Sequence, residues 1–127
     1  MAAPRPLWLA ARLRSFVYAG RGVVTLLSSQ HNAWIHAVAT ALTVAAGAWL
    51  GVSRVEWISL ILAILVVWAA EAFNTALEFL ADMASPEFHP LVEKAKDVAA
   101  GGVLICAVGA ALIGLLVFGP YLVAVLR

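Results

Sequence analysis

Residues 57–80 read WISLILAILVVWAAEAFNTALEFL. At ~1.5 Å per residue a helix over this stretch is about 36 Å long, enough to cross a hydrocarbon core of about 30 Å. Its first half, through Ala70, has no charge, whereas its second half carries Glu71, Asn74, Thr75 and Glu78, with Asp82 just beyond. An apolar helix with acids on its later turns requires a membrane solvent and a site inside it.

Two further stretches, 22–53 and 98–126, have no charged residue at all. The segments 33–50, 57–80 and 98–126 are each long enough to span, giving three transmembrane helices. The whole chain agrees: 65% of its 127 residues are hydrophobic and 12% charged, with a mean hydropathy of +1.01. So few charges cannot cover a soluble globule, and such hydrophobicity excludes disorder. A net charge of +1 leaves no footprint for nucleic acid. A β-barrel is excluded because no segment alternates apolar and polar residues. The single cysteine, Cys106, forms neither an internal disulfide nor a thiolate metal site.

The basic residues set the orientation. Arg5, Arg12, Arg14 and Arg21 precede the first span, Arg54 stands alone in the first loop, Lys94 and Lys96 follow the second span, and Arg127 ends the chain. The positive-inside rule then predicts a cytoplasmic N-terminus, an outer first loop, an inner second loop and an outer C-terminus. No cleavable signal peptide is expected, since arginines interrupt the early apolar stretches. Residues 7–28 read as an amphipathic surface helix, with Arg14 and Arg21 on one side and a break expected at Gly20 and Gly22. Gly51-Val-Ser closes the first span, and Ser85-Pro86 with His89-Pro90 bracket the inner turn. The expected architecture is one all-α integral membrane domain over 1–127, without linker or repeat.

On the second span, position 78 lies about −20°, position 82 about +20° and position 74 about −60° from position 71, a sector of roughly 80° and an axial run of roughly 16 Å. Ionisable groups inside a spanning helix are costly and by default functional. Three carboxylates on one face repel one another, so positive charge is required: a divalent cation, or Lys94 and Lys96 near the level of Asp82. Mg²⁺ takes carboxylate oxygens and keeps phosphates as co-ligands. Carboxylates, a cation, a lysine and an interfacial position together suggest phosphate chemistry on a lipid headgroup. Intramembrane acids also serve as proton relays or structural pairs, so a non-enzymatic proton- or ion-conducting oligomer stays open at this point.

Other residues read as structural. His31 and His36 suit interfacial or helix-contact roles, because a zinc site needs three or four convergent ligands. Trp34, Trp49 and Trp57 suit an aromatic belt, and Trp68 suits packing. Gly101, Gly102 and Gly109 suit close helix contacts. Glu93 and Lys94 suit a solvated pair, and Cys106 an inert packing position.

The run Glu71-Ala-Phe-Asn74-Thr75-Ala76-Leu-Glu78-Phe-Leu-Ala-Asp82, then Ser85-Pro86-Glu87-Phe88-His89-Pro90, then Ala95-Lys96-Asp97-Val-Ala-Ala-Gly, resembles the prokaryotic diacylglycerol kinase family. These are small three-helix lipid kinases that include undecaprenol kinases, and the resemblance covers about 15–114. It implies a homotrimer with active sites between protomers at the cytoplasmic surface of the cell (inner) membrane. It also implies MgATP as phosphoryl donor and a membrane lipid alcohol as acceptor. By position, Glu71 matches the general base and Asn74 its hydrogen-bonding neighbour; Glu71 and Ala100 match lipid contacts. Glu78 matches a metal and nucleotide ligand, with Asp82 a further metal candidate. Tyr18, Glu87, His89, Lys96 and Asp97 match nucleotide contacts.

Two departures stand out. Where the family often has a second metal-binding glutamate this chain has Gln30, which offers the nucleotide and metal an amide oxygen but no charge. A basic nucleotide contact of some members falls near Ala11, where Arg12 or Arg14 is the candidate replacement. The expected activity is ATP-dependent phosphorylation of diacylglycerol to phosphatidic acid. Undecaprenol is the alternative acceptor, because the 85–90 turn and the Arg54-Val-Glu56-Trp57 loop resemble that branch.

Overall fold

The computed structural model describes residues 7–126, with side chains from residue 10 onward. Arg5 and Arg127, used in the topology argument, and the side chains of Trp8 and Leu9 lie outside it. Four helices follow in order: α1 (Leu7–Ser29), α2 (His31–Leu50), α3 (Arg54–Ala84) and α4 (Pro90–Val125). The last three are each long and apolar enough to cross a membrane. The first is the expected surface helix, with Phe16, Val17, Val23 and Val24 exposed.

The expected break in α1 is absent: the helix runs through Gly20 and Gly22. Each glycine lowers helix propensity by about 1 kcal/mol but removes no backbone hydrogen bond, so the ladder continues. The chain turns only at Gln30, whose extended backbone (φ −119°, ψ 123°) separates α1 from α2. α2 ends at Gly51, whose φ of +67° is the left-handed conformation glycine adopts without a Cβ clash.

The expected loops are shorter than charge placement suggests. Arg54, Glu56 and Trp57 form the first turn of α3, not a loop. Ser53 caps that turn by accepting from Glu56 N, while Glu56 Oε2 accepts from Ser53 N at 2.7 Å. Ser53 and Glu56 stand at the Ser-x-x-Glu spacing of a capping box. At the inner turn only 85–89 is non-helical, so Lys94, Lys96 and Asp97 lie on α4. Charge ends a hydrophobic span, but backbone hydrogen bonding continues into water. His89 caps α4, its Nδ1 accepting from Leu91 N, and Pro90 occupies the first helical position, where no N–H is needed.

α3 and α4 form an antiparallel hairpin with α2 alongside, and the packed core sits at the end remote from Asp82. There Val52, Leu60 and Val117 are buried with Trp57, Phe118 and Tyr121 against them, and Tyr121 donates to Glu56 Oε2 at 2.8 Å. Trp57 is a packing residue more than a belt residue: its indole lies so close to Gly47 that an added Cβ would meet Cη2 at 2.8 Å. Trp34 and Trp49 are exposed as expected. Gly101, Gly102 and Gly109 do not pack within the chain, since nothing lies within 4 Å of an added Cβ at any of them. Glu93 and Lys94 are exposed and unpaired with each other, because adjacent helical residues diverge by 100°.

Candidate functional site

The polar stripe of α3 runs from interior to surface. Glu71 is fully buried (0% exposed), Asn74 and Thr75 are buried, Glu78 is half-buried and Asp82 is exposed. At about 46 Å for its length, α3 exceeds the hydrocarbon core, so its acidic end has room to emerge.

Each acid meets a different partner. Glu78 accepts twice, from Gln30 Nε2 at 2.8 Å and from Asn74 Nδ2 at 3.0 Å. Asn74 thus bonds Glu78 and not Glu71, contrary to expectation. Helical side chains lean toward the N-terminus, so the carboxylate of Glu78 comes back over Asn74 while that of Glu71 leans away. Asp82 accepts from Lys96 Nζ at 2.8 Å, across the hairpin from α3 to α4. Among the described residues Glu71 has no hydrogen-bond partner through either oxygen, and the basic side chain beside it is His36 of α2, with Nε2 3.7 Å from Oε2. Asn74 Oδ1 and Thr75 Oγ1 are likewise buried without a partner.

These residues open on two clefts. One, of about 250 Å³, brings together Glu71, Asn74, Glu78 and His36 with Ala100 of α4. The other, of about 320 Å³ at the inner turn, brings together Asp82, Glu87, His89, Lys96 and Asp97. The first is a slot at membrane depth with a carboxylate at its wall. The second is a charged mouth with one lysine. Gln30 reaches the stripe through Glu78, whereas Tyr18 stands exposed on α1 beside Arg21 and lines neither cleft. Among the described residues no three His, Cys, Asp or Glu side chains converge as a ready-made metal site.

The sequence reading of His36 as an interfacial or helix-contact residue and of Trp68 as packing agrees with their contacts between α2 and α3, but it gave neither a place beside Glu71 and did not single out Thr40. His36 and Thr40 are one turn apart on α2, Trp68 and Glu71 one turn apart on α3, and Trp68 Nε1 donates to Thr40 Oγ1 at 3.0 Å. The signal was present as polar residues at helical spacing on a first span that has no charge. Without knowing which faces of α2 and α3 meet, it could not be read.

The profile of the prokaryotic diacylglycerol kinase family matches residues 17–118. An undecaprenol kinase of Bacillus subtilis is 38% identical over 109 residues, covering 86% of this chain and 89% of that protein. A diacylglycerol kinase of Synechocystis is 35% identical over 103 residues, covering 80% of this chain and 59% of that protein. A diacylglycerol kinase of Escherichia coli K12 is 34% identical over 71 residues, covering 56% of this chain and 58% of that protein. The matched stretch contains both clefts, the whole acidic stripe and all three apolar helices but for the last residues of α4; the chain belongs to the prokaryotic diacylglycerol kinase family.

Proposed function

We propose that this protein is a lipid kinase that transfers the γ-phosphoryl group of ATP to the hydroxyl of a membrane lipid alcohol. The reaction takes place at the cytoplasmic face of the cell (inner) membrane, in a homotrimer of single-domain subunits. The observation that carries the reading is Glu71: a wholly buried carboxylate with no hydrogen-bond donor among the described residues, lining a cleft and standing on the same helix face as Asp82, the partner of Lys96. An unpartnered carboxylate in such a place is costly, and a substrate hydroxyl would supply the missing donor.

In this reading the lipid hydroxyl enters beside Glu71, which accepts its proton as the oxygen attacks the γ-phosphorus. The bond from that phosphorus to the β-phosphate breaks, and ADP leaves with the electron pair. Lys96, held at the cleft mouth by Asp82, takes up charge on the phosphates, while Glu87, His89 and Asp97 face the nucleoside. Tyr18 would meet nucleotide from α1. The donor set suits a hard cation: the Glu78 carboxylate, and Asn74 Oδ1, which is buried and unpartnered. Glu78, Asn74 and Gln30 would hold Mg²⁺ together with ATP phosphates, with Asp82 at the outer edge. The cation supplies neutralisation of phosphate charge.

Diacylglycerol, giving phosphatidic acid, is the acceptor taken first, as the family's general substrate. Undecaprenol is the second reading, favoured because the relative matched over 89% of its own length is an undecaprenol kinase. Rates on the two alcohols in one detergent decide between them. For the kinase itself, Glu71→Gln should lose about 10²- to 10⁴-fold in turnover, the usual worth of a general base, while ATP binding and assembly persist. Retention of a tenth or more of wild-type turnover, roughly 1.4 kcal/mol or less of barrier, would remove Glu71 as base. ATP consumption without lipid alcohol, or ion flux without ATP, would replace the kinase by another function.

A further inference from the structure

We propose that His36 is a positioning residue for Glu71: its imidazole flanks the carboxylate on the Oε2 side, at contact rather than hydrogen-bond distance, and leaves Oε1 to take the substrate's proton. This rests on the kinase reading above. Four side chains on two helices carry the inference. On α2, His36 and Thr40 project one turn apart; on α3, Trp68 and Glu71 do the same. His36 Nε2 lies 3.7 Å from Glu71 Oε2, and Trp68 Nε1 donates to Thr40 Oγ1 at 3.0 Å. The diagonal is closed by the ring of Trp68 edge-on to that of His36, with centroids 6.3 Å apart at 65°. Trp68 is therefore fixed at its far end by Thr40 and braces the imidazole on its near side. The imidazole is left facing the carboxylate.

The need for such a brace follows from burial. The side chain of Glu71 is 1% exposed and that of His36 13%, so water does not orient the carboxylate. Neither oxygen has a hydrogen-bond donor. Among the described residues, His36 is the basic side chain within 4 Å of that carboxylate. A base must be in reach of its proton with the correct oxygen presented, and a 1 Å misplacement costs about 100-fold in rate. His36 also lines both the cleft of Glu71 and a second cavity of about 290 Å³ that runs between α2, α3 and α4 past Ala107. Its ring thus stands between the carboxylate and the apolar space behind it.

The test begins with wild-type protein and a lipid alcohol. No lipid-dependent ATP turnover refutes the kinase reading and this one with it. Given turnover, His36→Phe keeps the ring against Trp68 and removes the nitrogen, so kcat should fall about 10- to 100-fold. KM for lipid and for ATP should stay within about twofold, because an interaction needed only at the transition state is lost. His36→Gln, which restores an N–H of similar reach, should recover kcat to within about fivefold of wild type. Trp68→Phe, which removes the bond to Thr40 and trims the ring that meets His36, should lower kcat in the same way but by less. A His36→Phe enzyme with unchanged kcat, a loss expressed in KM, or a glutamine variant no better than phenylalanine overturns the role of His36 and leaves the kinase intact. Should His36→Phe fail to assemble, an unchanged kcat in Trp68→Phe and a glutamine variant below one-tenth of wild type together overturn it.

Discussion

Glu71 and Glu78 are the same residue type about two turns apart on one stripe, yet their surroundings differ. Glu78 is already bonded by two amides, from Gln30 and Asn74, and sits half-exposed, where the proposed mechanism brings phosphates and a cation. Glu71 is buried and has no hydrogen-bond partner among the described residues, which in the proposed mechanism leaves its lone pairs to a substrate. The amide of Gln30 allows Glu78 to stand without a second acid beside it. Gln30→Glu would set two carboxylates where a 2.8 Å hydrogen bond now lies. Their repulsion is relieved by a cation, so the Mg²⁺ concentration giving half-maximal rate should fall, by about tenfold if the added charge acts as ligand charge does elsewhere. A Mg²⁺ titration of both proteins checks this; an unchanged or weakened dependence would separate Gln30 from the cation.

At the scale of elements, two glycines with the same sequence appearance have opposite meaning. Gly51 ends α2 with a φ of +67°, and its N–H and that of Val52 both bond Gly47 O. Gly20 lies inside α1 with nothing within 4 Å of an added Cβ. Gly51→Ala should therefore destabilise the folded protein by about 1 kcal/mol, the cost of a Cβ in left-handed backbone. Gly20→Ala should leave stability unchanged or raise it by up to about 1 kcal/mol through helix propensity. Midpoints of SDS-induced unfolding, followed by tryptophan fluorescence, give both signs in one assay. A gain at Gly51, or a loss at Gly20, would contradict the boundaries of α1 and α2. The helices themselves were legible from uncharged runs. Their ends were not, because α3 and α4 continue as helices beyond the apolar stretch, and caps at Ser53 and His89 set where they start.

The whole chain exposes large apolar side chains on every helix, including Phe73, Leu104, Ile105 and Leu116. Lipid covers such surface as well as a neighbour does, so apolarity alone does not choose between them. The glycines of α4 are more selective. A Cβ added at Gly102 or Gly109 meets nothing within 4 Å among the described residues, whereas close approach of a second helix is what small residues permit in membranes. For the proposed trimer, cross-linking in detergent should stop at three times the 13.4 kDa chain mass. Gly102→Leu should weaken that product and the activity together while leaving the subunit helical by circular dichroism. Full cross-linking of the leucine variant would place the contact elsewhere, and a product of another size would replace the trimer.

Residue order alone determined that this protein lives in a membrane, how many helices are long and apolar enough to cross it, and which helix carries the acidic stripe. Each of these follows from solvent: apolar length fits a hydrocarbon slab, and periodicity puts Glu71, Asn74, Glu78 and Asp82 on one face of a single helix whatever it packs against. Only the tertiary structure decided the partners. That Asn74 serves Glu78, that Lys96 pairs with Asp82 across the hairpin, and that His36 lies beside Glu71 depend on the rotation and depth at which separate helices meet. Those are set by side-chain packing such as Trp57 on Gly47, a contact between residues with no local signal of each other.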